Sequence, residues 1–300
     1  MDINFRQNKV MTQIFPLTDE AMEEFLNEIN PEEIPPLPEK YRTPDWILAE
    51  EKTTLKLGDC LELMKDIPDG SVDMVLCDLP YSVINKKNKA SEWDKPIPFE
   101  PLWKEYKRIC KDNAAIVLFA QGMFTADLMK SNPSMWRYNL VWKKGNRVSG
   151  FLNANRMPLR NHEDICVFYR KQPTYNPQLV PGPKTHSKGN GPHKETNNVY
   201  GDFKDLPSRQ DGLKYPKSVL NFERDYGQFY HPTQKPVGLL RWLIRTYTND
   251  GEVVLDNAMG SGSTGVAAII ENRRFIGMEL NPEYYAIAEE RIREASGTNK

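Results

Sequence analysis

Four short strand-like runs, each stopping on an acidic residue, constrain this chain more than any other feature. Thr54–Leu57 ends at Gly58-Asp59, Val72–Cys77 at Asp78, Glu252–Leu255 at Asp256, and Arg274–Met278 at Glu279. Between and beside them lie stretches with helical patterning: Cys60–Ile67, Glu100–Lys111 and roughly 264–272, with one more apolar strand at Ala114–Ala120. Strands alternating with helices of this length predict an α/β domain built on a largely parallel sheet. In such sheets ligands bind beyond the carboxyl ends of the strands, so the acids just after each strand mark where a site belongs.

A chain of 300 residues can bury one substantial core with a small appendage. No apolar run approaches the ~20 residues of a membrane helix. The start of the chain, with Asp2 and Arg6, lacks a secretory apolar stretch, so a cytoplasmic protein is expected. Cys60, Cys77, Cys110 and Cys166 are scattered without metal or redox spacing and read as buried thiols. The four histidines show no paired spacing either, so no metal is expected.

The net charge of −1 hides an asymmetry. Residues 1–52 carry twelve acids against five bases and contain prolines at 31, 35, 36, 38 and 44. They read as an acidic extension with a helix over Leu17–Ile29 and an extended linker. Residues 171–230 lose apolar periodicity and are rich in Pro, Gly, Asn, Lys and Tyr. A loop of that length within a compact domain is expected to be functional, and it reads as an inserted substrate-reading segment. The domain is thereby divided into a half at 53–170, the insert at 171–230 and a second half at 231–295. Basic residues cluster at Lys86, Lys87 and Lys89, and at Lys143, Lys144, Arg147 and Arg156. Such clusters are most often solvated faces, but they permit phosphate contact.

Two motifs carry chemistry. Asp256-Asn257-Ala258-Met259-Gly260-Ser261-Gly262-Ser263-Thr264 joins a strand to a helix. Its glycines allow close backbone approach, and the helix start offers unpaired N–H groups. Glu279, ending the next strand, is placed to take both hydroxyls of a ribose, so the order predicts a nucleoside cofactor. The second motif is Asp78-Leu79-Pro80-Tyr81. It could be only a turn. It also suits an amino group conjugated to an aromatic base, whose nitrogen is a poor nucleophile. Acceptors on its hydrogens, the Asp78 carboxylate and the Leu79 carbonyl, would favour a tetrahedral nitrogen; Tyr81 could stack on the base and Pro80 stiffen the turn. That is positioning and electrostatic preorganisation.

Together these motifs resemble the amino-methylating DNA methyltransferases, whose hallmark tetrapeptide is (Asp/Asn/Ser)-Pro-Pro-(Tyr/Phe). Pro68-Asp69-Gly70-Ser71-Val72-Asp73 resembles the family's entry to that tetrapeptide. His231-Pro232-Thr233-Gln234-Lys235-Pro236 resembles the segment that helps hold the cofactor's methionine moiety. The tetrapeptide precedes the cofactor loop, which is similar to the family's beta group. That permuted order places target recognition in the segment between them.

The resemblance implies a Rossmann-like fold, with a mixed, mostly parallel sheet and helices on both faces. It also implies S-adenosylmethionine as cofactor and transfer of its methyl to N6 of an adenine flipped from double-stranded DNA. Asp78, Leu79, Pro80 and Tyr81 would be catalytic. Asp59, Asp78, His231, Lys235, Asp256, Ala258, Gly260, Ser261, Gly262, Ser263, Thr264 and Glu279 would line the cofactor. The lysines and arginines named above would contact phosphate. A homodimer and a cognate restriction endonuclease on a separate chain are compatible with it. Asp at the first tetrapeptide position usually accompanies adenine, and N4-cytosine is the alternative. A non-catalytic DNA-binding partner that holds the cofactor is a remoter one. The family's first proline is Leu79 here, which keeps the main-chain acceptor but loses proline's fixed φ.

Overall fold

The computed structural model describes residues 52–81, 96–182, 212–225 and 234–297. The acidic extension, the Lys86/Lys87/Lys89 cluster, His231 and much of the 171–230 segment lie outside the described residues.

The first half lays down β1 (Thr53–Leu57), α1 (Cys60–Leu63), β2 (Val72–Cys77), α2 (Phe99–Ile109), β3 (Cys110–Ala120) and α3 (Met123–Ser131). Next come β4 (Trp136–Lys143) and β5 (His162–Phe168), two short paired strands β6 (Val180–Pro181) and β7 (Leu213–Lys214), and β8 (Val219–Asn221). The second half contributes α4 (Val237–Tyr247), β9 (Val253–Asp256), α5 (Ser263–Ile270), β10 (Arg274–Glu279) and α6 (Pro282–Ala295). No described helix is long and apolar enough to cross a membrane.

Eight strands form one sheet in the order β1-β10-β9-β2-β3-β5-β4-β8. Only β5 runs against its neighbours. The decisive adjacency is β2 beside β9, parallel, with Val75 opposite Leu255. It sets the loop after β2 next to the loop after β9, so two motifs far apart in sequence share one edge. Asp73 secures that junction: its carboxylate accepts the Val253 backbone N–H (2.9 Å) and the Lys111 ammonium (2.6 Å).

Period-two alternation divides the core. Met74 and Leu76 of β2 join Val117 and Phe119 of β3 against α4, α5 and α6, through Leu239, Leu240, Leu243, Ala267 and Ile292. Val75 and Cys77 point the other way with Ile116 and Leu118, against Leu102, Tyr106 and Ile109 of α2 and Leu128 of α3. A sheet covered on both faces needs near-continuous apolar strands, which is what β2 and β3 are. All four cysteines are buried.

Two boundaries differ from the sequence reading. The helix expected through Lys111 ends at Ile109, because Cys110 pairs with Val72 in the sheet. The helix expected over Cys60–Ile67 becomes a single α turn followed by a 3-10 turn at Met64–Asp66, stopping ahead of Pro68. Within the stretch expected to lack regular structure, Val219–Asn221 forms the sheet's edge strand, held by Val141–Lys143 of β4.

Candidate active site

Beyond the carboxyl ends of β1, β2, β9 and β10 lies a cleft of about 410 Å³. Its walls come from Asp59, the Asp78–Tyr81 tetrapeptide, Gln234-Lys235, the Asp256–Gly260 turn and Glu279. A cavity in this range suits a small ligand or cofactor.

Asp78 is the first residue past β2. Leu79 is 3% exposed and packs into the core beside α2. Its side chain anchors the turn by burial where a proline would have fixed φ. Tyr81 rests on Phe124, ring centroids 4.9 Å apart, and its hydroxyl donates to Asp78 Oδ1 at 2.5 Å. Burial raises the Tyr81 hydroxyl far above its ordinary pKa, with the neighbouring Asp78 charge adding to it, so this group is a donor across the working pH range.

The other Asp78 oxygen, Oδ2, accepts the ammonium of Lys235. Lys235 is 6% exposed, reaches Glu163 Oε2 at 3.3 Å, and lies 5.0 Å from the centroid of the Phe119 ring. Glu163 Oε1 in turn takes the Lys144 ammonium at 2.5 Å. Burial opposes the charge of Lys235, but Asp78 and Glu163 outweigh it and raise its pKa. Burial also pushes against the charge of Glu163, and Lys235 and Lys144 reverse that push, leaving its carboxyl below the usual range. For Asp78 burial wins: its carboxyl stands above the usual range despite Lys235, and Glu163 adds to the rise.

The opposite wall carries the glycine turn after β9 and the carboxylate that ends β10. The backbone at Gly260 and Gly262 is left-handed, φ +52° and +77°, and a Cβ on Gly262 would sit 2.8 Å from Ala288 Cβ. The turn therefore lies tight against α6, and Arg291 of that helix donates to the Ser261 carbonyl and to Ser263 Oγ (3.2 Å). Glu279 accepts the Gly260 N–H on Oε2 and the Asn281 N–H on Oε1, each at 2.8 Å. A carboxylate oxygen takes more than one hydrogen bond, so each retains acceptor capacity for a diol. Burial lifts the Asp256 carboxyl to about 6, against hydrogen bonds from Thr264, Cys77 and the Ala258 N–H. Asp59 caps α1, accepting the Leu61 N–H at 2.8 Å. These residues fit S-adenosylmethionine: diol acceptors at Glu279, a glycine turn that admits close approach, and carboxylates at the cleft's floor.

Of the expected site residues, the structure brings together Asp59, Asp78, Leu79, Pro80, Tyr81, Lys235, Asp256, Ala258, Gly260, Ser261, Ser263, Thr264 and Glu279 around one cleft. Gly262 supports the turn from behind. Among the basic residues expected at phosphate, Lys143, Arg147 and Arg156 are exposed. Lys144 differs from these three. Its side chain is 13% exposed and its ammonium is bound to Glu163. Glu163 and Gln121 also line the cleft and were missing from the sequence reading. Because β5 is antiparallel, its beginning lies at the edge where the parallel strands end, and Asp164 pairs with Ala120. The available signal was an acid shortly before the apolar run Ile165–Phe168.

The DNA methylase family model for N6 and N4 methyltransferases matches residues 72–290. The type II methyltransferase M2.MboI of Moraxella bovis is 28% identical, over 79% of this chain and 86% of its own. The DNA adenine methyltransferase YhdJ of Escherichia coli K12 is 29% identical, over 83% and 85%. Among solved structures, the PvuII cytosine-N4-specific DNA methyltransferase superposes with a TM-score of 0.58 at 17% identity, covering 82% of this chain and 92% of that one. The M1.HpyAVI–SAM complex gives 0.54 at 21% identity, covering 80% and 98%. At these identities the structures show the fold, which is the Rossmann-like one expected. The chain therefore belongs to the DNA methylase family whose S-adenosylmethionine-dependent members methylate exocyclic amino groups, N6 of adenine or N4 of cytosine.

Proposed function

We propose that this chain methylates N6 of adenine within a specific sequence of double-stranded DNA, on a base flipped out of the duplex. The observation that carries the reading is the pairing of Asp78, held by Tyr81 and Lys235, with the glycine turn of β9 across a single cleft. S-adenosylmethionine, when bound, supplies a methyl group already activated by its sulfonium.

The chain's own residues then have four tasks. Glu279, Asp256, Asp59 and the Gly260–Thr264 turn hold the cofactor, with Lys235 and His231 toward its methionine end. Asp78 and the Leu79 carbonyl accept the amino hydrogens, which turns the nitrogen lone pair out of conjugation; donors and acceptors fixed in a water-poor site do this without reorganisation. A carboxyl with raised proton affinity also suits the hydrogen that the nitrogen sheds. Tyr81, braced by Phe124, offers its ring to the base. Lys143, Arg147 and Arg156, with the Lys86–Lys89 cluster and the 171–230 insert, serve the DNA backbone and target recognition.

Asp at the first tetrapeptide position and the adenine specificity in the name of the YhdJ relative favour adenine. The PvuII enzyme, on a similar fold, is named as cytosine-N4-specific, so N4-cytosine is the second reading. Nucleoside mass spectrometry of methyl-free DNA, incubated with enzyme and S-adenosylmethionine, separates the two. N6-methyldeoxyadenosine is the expected product, and N4-methyldeoxycytidine alone would overturn the base assignment.

A further inference from the structure

Lys144, Glu163, Lys235 and Asp78 form a row of alternating charge that ends at the tetrapeptide: Lys144 Nζ to Glu163 Oε1 at 2.5 Å, Glu163 Oε2 to Lys235 Nζ at 3.3 Å, then Lys235 to Asp78 Oδ2. The side chains of Lys144, Glu163 and Lys235 are 13%, 12% and 7% exposed. Three charged side chains this deep are costly unless each is partnered, and one exposed ion pair would stabilise as well at less cost. The row is also assembled from separate elements. Lys144 follows β4, Glu163 is the second residue of β5, Lys235 precedes α4 and Asp78 follows β2. Geometry of that kind sets the electrostatics of its last member.

We propose that Glu163 and Lys144 are positioning residues for methyl transfer, which divide the charge of Lys235 and so set how strongly Asp78 accepts hydrogen. This rests on the reading of Asp78 as the acceptor for the target amino group. Glu163 draws the Lys235 ammonium toward itself and keeps Asp78 from being fully neutralised. Lys144 limits that effect by neutralising Glu163. The other groups facing Asp78 are Tyr81 on Oδ1, and Cys77 and Asp256 along the edges of β2 and β9. None of them belongs to the row.

The two substitutions act in opposite directions. Glu163→Gln removes a negative charge, leaves Lys235 wholly to Asp78, and moves the acid limb of the pH profile to lower pH. Lys144→Met leaves Glu163 without its second cation and moves that limb to higher pH. Each shift should be about half a pH unit, below the full effect of a directly adjacent charge. The measurement is the single-turnover methylation rate from pH 4.5 to 9 at saturating cofactor and DNA, with melting temperature alongside. Lys144→Arg should restore the wild-type limb.

Opposite shifts with cofactor affinity retained support the proposal. Shifts of the same sign, or a lowered rate with the limb unmoved, overturn it, because lost stability moves both variants alike. If Glu163→Gln does not fold, an upward shift in Lys144→Met decides. Asp78→Ala separates this from the underlying reading. Full activity in that variant would defeat the role of Asp78 itself, whereas an inactive Asp78→Ala with unmoved limbs in the other two defeats only the row.

Discussion

Lys235 and Asp78 are 157 positions apart in the chain and share a hydrogen bond across the cleft. The contact follows from strand order. Because β9 inserts beside β2, the segment leading into α4 and the turn leaving β2 meet at one edge of the sheet. Linear motif order is therefore free to permute while the site stays intact, since the sheet and not the chain decides which loops are neighbours.

Asp78→Ala leaves Lys235 paired with Glu163, so the fold should persist. It removes the side-chain acceptor altogether. The expected loss in methyl-transfer rate is on the order of 10²–10³, as for other preorganised groups aimed at a reacting centre. Cofactor affinity should be nearly unchanged. Single-turnover rates and calorimetric titration with S-adenosylmethionine check both; a rate within about tenfold of wild type would remove Asp78 from the chemistry.

Asp256 predicts a pH dependence of stability with a definite sign. Its carboxyl is lifted to about 6 by burial, above the ordinary value it has in the unfolded chain. The folded state therefore binds the proton more tightly. Its contribution to stability is fully present below the unfolded pKa and is lost as pH rises through about 6. Asp256→Asn removes that penalty. The variant should be more stable than wild type at pH 8, on the order of 1–3 kcal/mol, with the gain vanishing toward pH 4. It should also bind S-adenosylmethionine less well. Denaturant melts at the two pH values measure the difference, and an equal gain at both would show that Asp256 titrates normally.

The strand-ending acids Asp59, Asp78, Asp256 and Glu279 were legible because each follows a local pattern, an apolar run closed by a turn. Glu163 was not, since its place in the cleft depends on β5 running antiparallel and pairing with β3, a choice no local pattern reveals. Lys144 was grouped with exposed neighbours, and only the pairing of β4 with β5 turns it inward: Lys143 pairs with His162, and the Lys144 N–H reaches the Asn161 carbonyl at 2.8 Å. The three-residue strand β8 owes its existence to the edge of β4. So short a segment carries little propensity of its own. Leu79 reversed its apparent meaning: a departure from the family's tetrapeptide is a core residue, 3% exposed.

Gly262 tests the cofactor turn. Its φ of +77° disfavours any L side chain, costing roughly 1–2 kcal/mol. A Cβ would in addition meet Ala288 at 2.8–2.9 Å, partly on backbone that cannot swing aside. Gly262→Ala should lower the melting temperature and weaken S-adenosylmethionine binding more than a surface Gly→Ala, such as one at Gly70, where nothing lies within 4 Å. Thermal shift with and without cofactor measures both effects. Equal behaviour of the two variants would mean the turn is not pressed on α6.

Salt dependence separates the arginines of the β4–β5 connection from the lysine at its root. Arg147 and Arg156 are exposed, and from Gly145 to Asn161 the connection has three arginines and no acid. Lys144 is held by Glu163. If the arginines neutralise phosphates, log affinity for duplex DNA falls with log salt, and each contact removed lowers the slope by about one. Arg147→Ala and Arg156→Ala should each show that loss with little change in melting temperature. Lys144→Met should leave the slope as in wild type, because its charge is already spent on Glu163 inside the protein. Fluorescence anisotropy across a salt series reads all three. A reduced slope in Lys144→Met, with the arginine variants unchanged, would place the phosphate path on the other side of the hairpin and free Lys144 from the site.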